Sequence, residues 1–159
     1  MDDKRYTPPG SELRDRPPPP GAAWKAVLIG YLIDMGGTFI ASAVLAIVYT
    51  AVLAQQGMSQ EQIRAALSDP APGSSFYVVG TLAGCGCSFL GGYWCARIAR
   101  HATYRLGGIL ATLSALSGIA LSWGVYPPEQ IALLSVTSVA CVLLGSKFGA
   151  DHVRAQSAG

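Results

Sequence analysis

Between Lys25 and Glu61 the chain carries a single charged residue, Asp34, set in a run of apolar and small side chains. An ionised carboxylate in such surroundings is costly. It faces the interior of a helix bundle and finds a partner there. Two chemistries suit it. It binds a proton or another cation, or it makes a structural hydrogen bond or ion pair between helices. Arg97 and Lys147 are the candidate counter-ions, because both terminate apolar stretches and have stems long enough to snorkel inward. The four cysteines, Cys85, Cys87, Cys95 and Cys141, raise the question of a soft-metal site. Cys-x-Cys within one helix points its thiols about 200° apart, so both cannot hold one ion without unwinding. Packing in small-residue rows explains these cysteines, and no metal or disulfide is expected. His101 and His152 have no other ligand-spaced group beside them.

No phosphate-binding loop, zinc-peptidase helix or nucleophile elbow occurs. We therefore assign no catalytic residue and no cofactor, and expect a protein that is not an enzyme.

Charge spacing defines the elements that must position Asp34. Of the 159 residues, 51% are hydrophobic and 13% charged, with mean hydropathy +0.39. A soluble domain is nearer 25% charged. The net charge of +2 is too weak for nucleic-acid binding. The charges cluster, and the gaps between clusters each hold the roughly 20 apolar residues that cross a bilayer core. Spans are expected near residues 26–53, 76–98, 107–125 and 130–149. A soluble four-helix bundle would need a polar face on each helix. The stretch from Gly107 to Tyr126 has none. The first stretch, Ala26 to Ala54, would be roughly 44 Å long as a helix, so it must tilt or project beyond the core. The expected fold is an all-α membrane protein: an antiparallel bundle of four transmembrane helices over residues 24–150. A disordered, Pro-rich cytoplasmic tail precedes it (1–23) and a short C-terminal tail follows (151–159).

Basic residues collect on the cytoplasmic side of membranes. With four spans, the N-terminal tail, the connection holding Arg97, Arg100 and Arg105, and the end holding Lys147 and Arg154 share one side, and only Arg64 lies opposite. Both termini are then cytoplasmic. Trp24, Tyr93, Trp94, Tyr104 and Phe148 fall near the inner interface, and Tyr49, Phe76, Tyr77, Trp123 and Tyr126 near the outer one, as amphipathic rings prefer. In the first outer loop, Ser59-Gln60-Glu61-Gln62 is a capping box with Met58 and Ile63 at the staple positions. It predicts a short helix through about Ser68, stopped at Asp69-Pro70. Tyr126-Pro127-Pro128-Glu129 is a tight turn joining the last two spans.

Helices in lipid associate through small residues that permit close approach. The second span carries two such rows: Gly80, Gly84, Ser88, Gly92, Ala96, and Ala83, Cys87, Gly91, Cys95, Ala99. The first has Gly30, Gly37 and Ala41, the third Gly107, Ala111 and Ala115, and the fourth Thr137, Cys141, Gly145 and Gly149. The doubled row predicts that the second span is central. Asp34 shares its stripe with Gly30, Gly37, Thr38 and Ala41, which predicts an interior position.

The stretch Gly91-Gly92-Tyr93-Trp94-Cys95-Ala96-Arg97-Ile98-Ala99-Arg100 ends the second span and enters a basic loop. It resembles a Gly-Gly-Tyr-x-x-x-Arg-Ile-Ala motif of small bacterial four-span membrane proteins. That resemblance implies a bacterial cytoplasmic (inner) membrane and no particular activity. Two functional readings stand. One is a non-enzymatic assembly, regulatory or accessory subunit whose partners are the bilayer, other membrane proteins or copies of itself. The other is a small oligomeric transporter coupled to protons or cations through Asp34. Its layout is similar to that of the small multidrug exporters, with four helices and an acid in the first. It departs from them in its long N-terminal tail, long first outer loop, fixed orientation, and Asp in place of Glu.

Overall fold

In the computed structural model, residues 20–68, 73–99, 103–124 and 126–157 are described. Those residues are almost wholly helical, with no strand among them. The elements are α1 (Pro20–Tyr31), a π-helical segment (Leu32–Gly36), α2 (Gly37–Gln55), α3 (Gln60–Ser68), α4 (Ser75–Ala99), α5 (Thr103–Ser122) and α6 (Pro128–Ser157). Four stretches are long and apolar enough to cross a membrane: Ala23–Gln55, Ser75–Ala99, Arg105–Ser122 and Pro128–Gln156. They match the four expected spans. Their large apolar side chains, such as Phe39, Ile40, Ile47, Leu82, Leu116 and Val136, point outward, as in proteins that face lipid rather than water.

The ends of the elements follow local chemistry. Ser59 and Gln62 form the reciprocal capping box: the Gln62 amide donates to Ser59 Oγ at 3.3 Å, and the Ser59 amide to Gln62 Oε1 at 2.9 Å. Ile63 is buried, whereas its expected staple partner Met58 is 42% exposed. Gly124 closes the turn after α5 with φ 80, a conformation that suits glycine. Pro128 then opens α6, where a missing N–H costs nothing.

Two expectations are corrected at the termini of the bundle. Residues 20–23, read as tail, belong to α1; residues 1–19 lie outside the described residues, as do the Asp69-Pro70 stop and His101. Residues 151–157, also read as tail, continue α6. Along this extension Asp151 pairs with Arg154 one turn on, and Gln156 reaches His152, exposed contacts that each add a little helix stability.

Helix α4 is the centre, packing on α1, the π segment, α2, α5 and α6. Its two small-residue rows serve different neighbours. Gly91 and Cys95 meet Gly30 of α1, and Cys87 meets Gly37 of α2. Gly92 lies against the backbone of Val142 on α6, while Gly145 and Gly149 of α6 lie against the carbonyls of Phe89 and Tyr93. A Cβ at Gly91 would stand 2.7 Å from the Gly30 carbonyl, and one at Gly30 2.8 Å from the Gly91 carbonyl. The two backbones therefore touch only because both residues lack side chains.

These contacts all lie in one half of the bundle. The buried apolar cluster of Ala26, Val27, Cys95, Ala99, Leu106, Leu110, Ala111 and Val142 occupies the same half. Toward α3 the packing changes: α2 rests chiefly on α4, and the bundle opens there. Gly84 was expected at a helix contact, but a Cβ added to it would meet no atom within 4 Å, and one at Gly80 would meet only Leu45 at an ordinary 3.5 Å. Gly84 therefore faces open space, and Gly80 meets α2 only through the tip of one side chain.

Candidate functional site

Asp34 sits within the π-helical segment that interrupts the first span. The wider turn is favoured by the Gly36-Gly37 pair, since glycine is the weakest helix former after proline. The Gly37 amide closes the segment on the carbonyls of Ile33 and Asp34. Isolated π turns inside α-helices frequently mark functional positions. The Asp34 side chain is 2% exposed. It points into α4, where a Cβ at Gly91 would lie 2.9 Å from its own Cβ.

Three serines from three other helices complete the site. Ser88 Oγ of α4 donates to Asp34 Oδ1 at 2.7 Å, and Ser114 Oγ of α5 donates to Oδ2 at 2.5 Å. Ser138 Oγ of α6 lies 3.1 Å from Ser88 Oγ. The carboxylate thus joins the first span to α4 and α5 directly, and to α6 through Ser88. Near it, Tyr31 Oη bonds Ser117 Oγ at 2.8 Å and ties α1 to α5.

Magnitudes show why two donors suffice. A carboxylate at the centre of a membrane helix costs about 2.5–3.5 kcal/mol to insert. Each hydrogen bond to a charged group returns about 1.5–3 kcal/mol. Two such bonds offset the cost without a cation.

Neither expected counter-ion is therefore brought to Asp34. The Arg97 guanidinium stands 5.3 Å from the Trp94 ring centre, a cation–π contact at the periphery. Lys147 is exposed on α6. Among the described residues the one ion pair is the exposed Asp151–Arg154 contact. Both cations lie nearer the end of the bundle that holds Ala99 and Ala150, where their heads stay at the polar boundary.

Asp34 forms the closed end of a cavity of about 550 Å³. Its walls are Met35, Thr38, Ser42, Leu45 and Ala46 on one side, and Phe76, Tyr77, Gly80, Thr81, Gly84, Cys85 and Ser88 of α4 on the next. Helices α5 and α6 add Ser114, Ala115, Gly118, Ser122, Leu134, Ser135, Thr137 and Ser138, with Leu67 of α3 and Tyr126 toward the mouth. From Ser88 to Phe76 this is roughly 18 Å of helix. Among the described residues Asp34 is the only charged one in the lining, which is otherwise rich in hydroxyls. A volume of that size holds a small organic molecule or a column of water. The stack of Tyr49 on Phe76, with ring centres 4.8 Å apart, stands at the same end as the mouth.

The cysteines divide by environment. Cys95 is fully buried against Gly30, Cys87 packs on Gly37, and Cys85 lines the cavity. All four are free thiols, and no group of three His, Cys, Asp or Glu side chains is placed to hold a metal among the described residues.

Sequence reasoning placed Ser88 among packing residues and gave no role to Ser114 or Ser138 in the site. The readable signal was a hydroxyl at mid-span depth on each helix facing a lone acid. The chain matches no protein-family model, and neither a curated protein nor a solved structure is detectably similar to it.

Proposed function

We propose that this chain is a small membrane transporter that couples to protons or cations through Asp34. One observation carries the reading: a cavity that runs to mid-bundle ends on a lone carboxylate, and among the described residues no side-chain cation lines it. A negative site of that kind favours a cation or a proton over neutral or anionic solutes. Close packing at one end and the open cavity at the other are what a state accessible from one side of a membrane requires. On the charge bias, both termini lie in the cytoplasm, the helices run antiparallel, and the cavity opens away from the cytoplasm; the resemblance of the Gly91–Arg100 stretch supports a bacterial inner membrane.

The reading as an assembly or accessory subunit draws on the small-residue faces. Those at Gly30, Gly91, Gly92, Gly145 and Gly149 are occupied by helices of the same chain, so they are not free to dock a partner.

The test compares wild type with Asp34→Asn in liposomes holding a pH dye. Sodium, potassium and tetraalkylammonium ions are added in turn on the cavity side. Proton release by wild type that Asp34→Asn abolishes is the expected result. Release that Asp34→Asn leaves intact would remove Asp34 from coupling. A loss of thermal stability with no flux in either protein would make Asp34 structural.

A further inference from the structure

We propose that Ser138 and Ser88 form a hydroxyl relay that carries the proton between the cavity and Oδ1 of Asp34. This rests on the reading of Asp34 as a proton-binding carboxylate. The carboxylate is 2% exposed and Ser88 4% exposed, so each presents little surface to the cavity it borders. Ser138 is half-buried and lines the cavity. Asp34, Ser88 and Ser114 border the same cavity but are buried, so Ser138 is the member of the network most open to cavity water.

The direction of each bond follows from proton counting. An ionised carboxylate only accepts, so Ser88 gives its single hydroxyl proton to Oδ1 across 2.7 Å. Ser88 then has only a lone pair left for its 3.1 Å contact with Ser138, and Ser138 must be the donor. Both hydroxyls therefore point toward Asp34, the orientation an inward transfer needs. A proton from cavity water binds Ser138 Oγ, the Ser138 hydrogen passes to Ser88 Oγ, and the Ser88 hydrogen passes to Oδ1. Each serine ends with one hydrogen, Asp34 gains one, and the chain of bonds is reversed. Release runs the same steps backward. Ser114 bonds Oδ2 as Ser88 bonds Oδ1, but among the described residues only Ser88 has a second hydroxyl beside it to hand on a proton; Ser114 positions the carboxylate.

The titratable groups near this network are few. Cys85 and Cys87 stand on α4, Cys141 on α6 and Tyr31 on the same span as Asp34, while α5 offers Ser114 and no titratable side chain at this depth. Among the described residues no lysine, arginine or histidine competes for the proton.

The test is time-resolved infrared spectroscopy on the full chain in vesicles after a pH jump, following the Asp34 carboxyl band assigned by its loss in Asp34→Asn. Ser138→Ala is expected to slow protonation by about tenfold or more, an added barrier of about 1.4 kcal/mol. It should leave the final extent of protonation unchanged. Ser138→Thr, which keeps the hydroxyl, should restore the wild-type rate. A rate in Ser138→Ala equal to wild type overturns the relay and leaves Asp34 as the proton site. A carboxyl band that never responds to pH in wild type overturns the reading of Asp34 itself. Ser138→Gly serves the same comparison if Ser138→Ala does not fold.

Discussion

Gly84 and Gly92 sit two turns apart on one row of α4, yet they should respond oppositely to the same substitution. A Cβ at Gly92 would run into the Val142 carbonyl oxygen, 3.0 Å from its carbonyl carbon and 3.1 Å from the Ser146 nitrogen. All three are backbone atoms of α6 and cannot rotate aside. Relief needs α4 and α6 to part, and overpacking of that kind costs about 1–3 kcal/mol. At Gly84 a Cβ meets nothing within 4 Å, and Gly→Ala in a helix gains about 0.5–1 kcal/mol. Gly92→Ala should therefore be less stable than Gly84→Ala by about 1–3 kcal/mol, since the propensity gain is the same at both sites and cancels. Unfolding of the full chain in mixed micelles by a rising fraction of denaturing detergent, read by circular dichroism, measures the gap. Gly145 presses on Phe89 across the same interface. Once Gly92→Ala has parted the helices, Gly145→Ala should add less than it costs alone. Equal stabilities for Gly84→Ala and Gly92→Ala, or strict additivity of Gly92→Ala with Gly145→Ala, would refute the close approach of α4 and α6.

Other expectations follow from the same geometry. A membrane-impermeant thiol reagent should modify Cys85, which lines the cavity, and spare Cys95, which is fully buried; single-cysteine variants and mass spectrometry distinguish the two. Gly84→Leu should place its side chain in the cavity, slow modification of Cys85 severalfold and leave thermal stability close to wild type. Tyr31→Phe removes the bond to Ser117 and should cost about 0.5–1.5 kcal/mol in the same unfolding assay. Ser114→Ala takes one of the two donors from the buried carboxylate and should cost more, about 1.5–3 kcal/mol, because the lost bond is to a charged group; a smaller loss than that of Tyr31→Phe would refute the ranking.

The four spans were legible because hydropathy and charge are one-dimensional signals. A run of some twenty apolar residues with at most one Lys, Arg, Asp or Glu needs no tertiary information to be read as a crossing. The centrality of α4 was legible too, since its small-residue rows show how many neighbours it can serve. The site was legible only at Asp34. Arg97 and Lys147 were chosen because opposite charges are the obvious partners, but their stems hold their heads toward the polar boundary, and two serines meet the carboxylate instead. Ser88 lies on the same row as Gly92, and a small residue reads alike whether it supplies close approach or a hydroxyl. The π turn was not legible because it depends on how α1 and α2 are held by neighbours, not on Gly36-Gly37 alone. Gly84 was misplaced for a related reason: periodicity tells which face a residue occupies, not whether another helix reaches that far.

The open space at Gly84 bears on how the molecule works. The row Gly80, Gly84, Ser88, Gly92, Ala96 is uniform in sequence, but α6 follows it closely only from Ser88 onward. The row's other end is as smooth and as able to receive a helix backbone, yet it borders the cavity. A helix face built for contact along its whole length and used along half of it can take two packings. Rocking α6 toward Gly84 would close the cavity while drawing Gly145 away from Phe89, with Ser88 and Ser138 near the pivot. On the proposed relay, a proton bound by Asp34 would arrive at that pivot, and reversing the Ser138–Ser88 bond would change which helix donates to which. Locking the contact tests this directly. A disulfide between cysteines introduced at Gly84 and Ser135 should form only if α6 approaches α4 in the cavity half, and it should hold Asp34 inaccessible from the cavity side. Failure of that crosslink to form under oxidation, with the protein folded, would leave α4 and α6 a fixed pair.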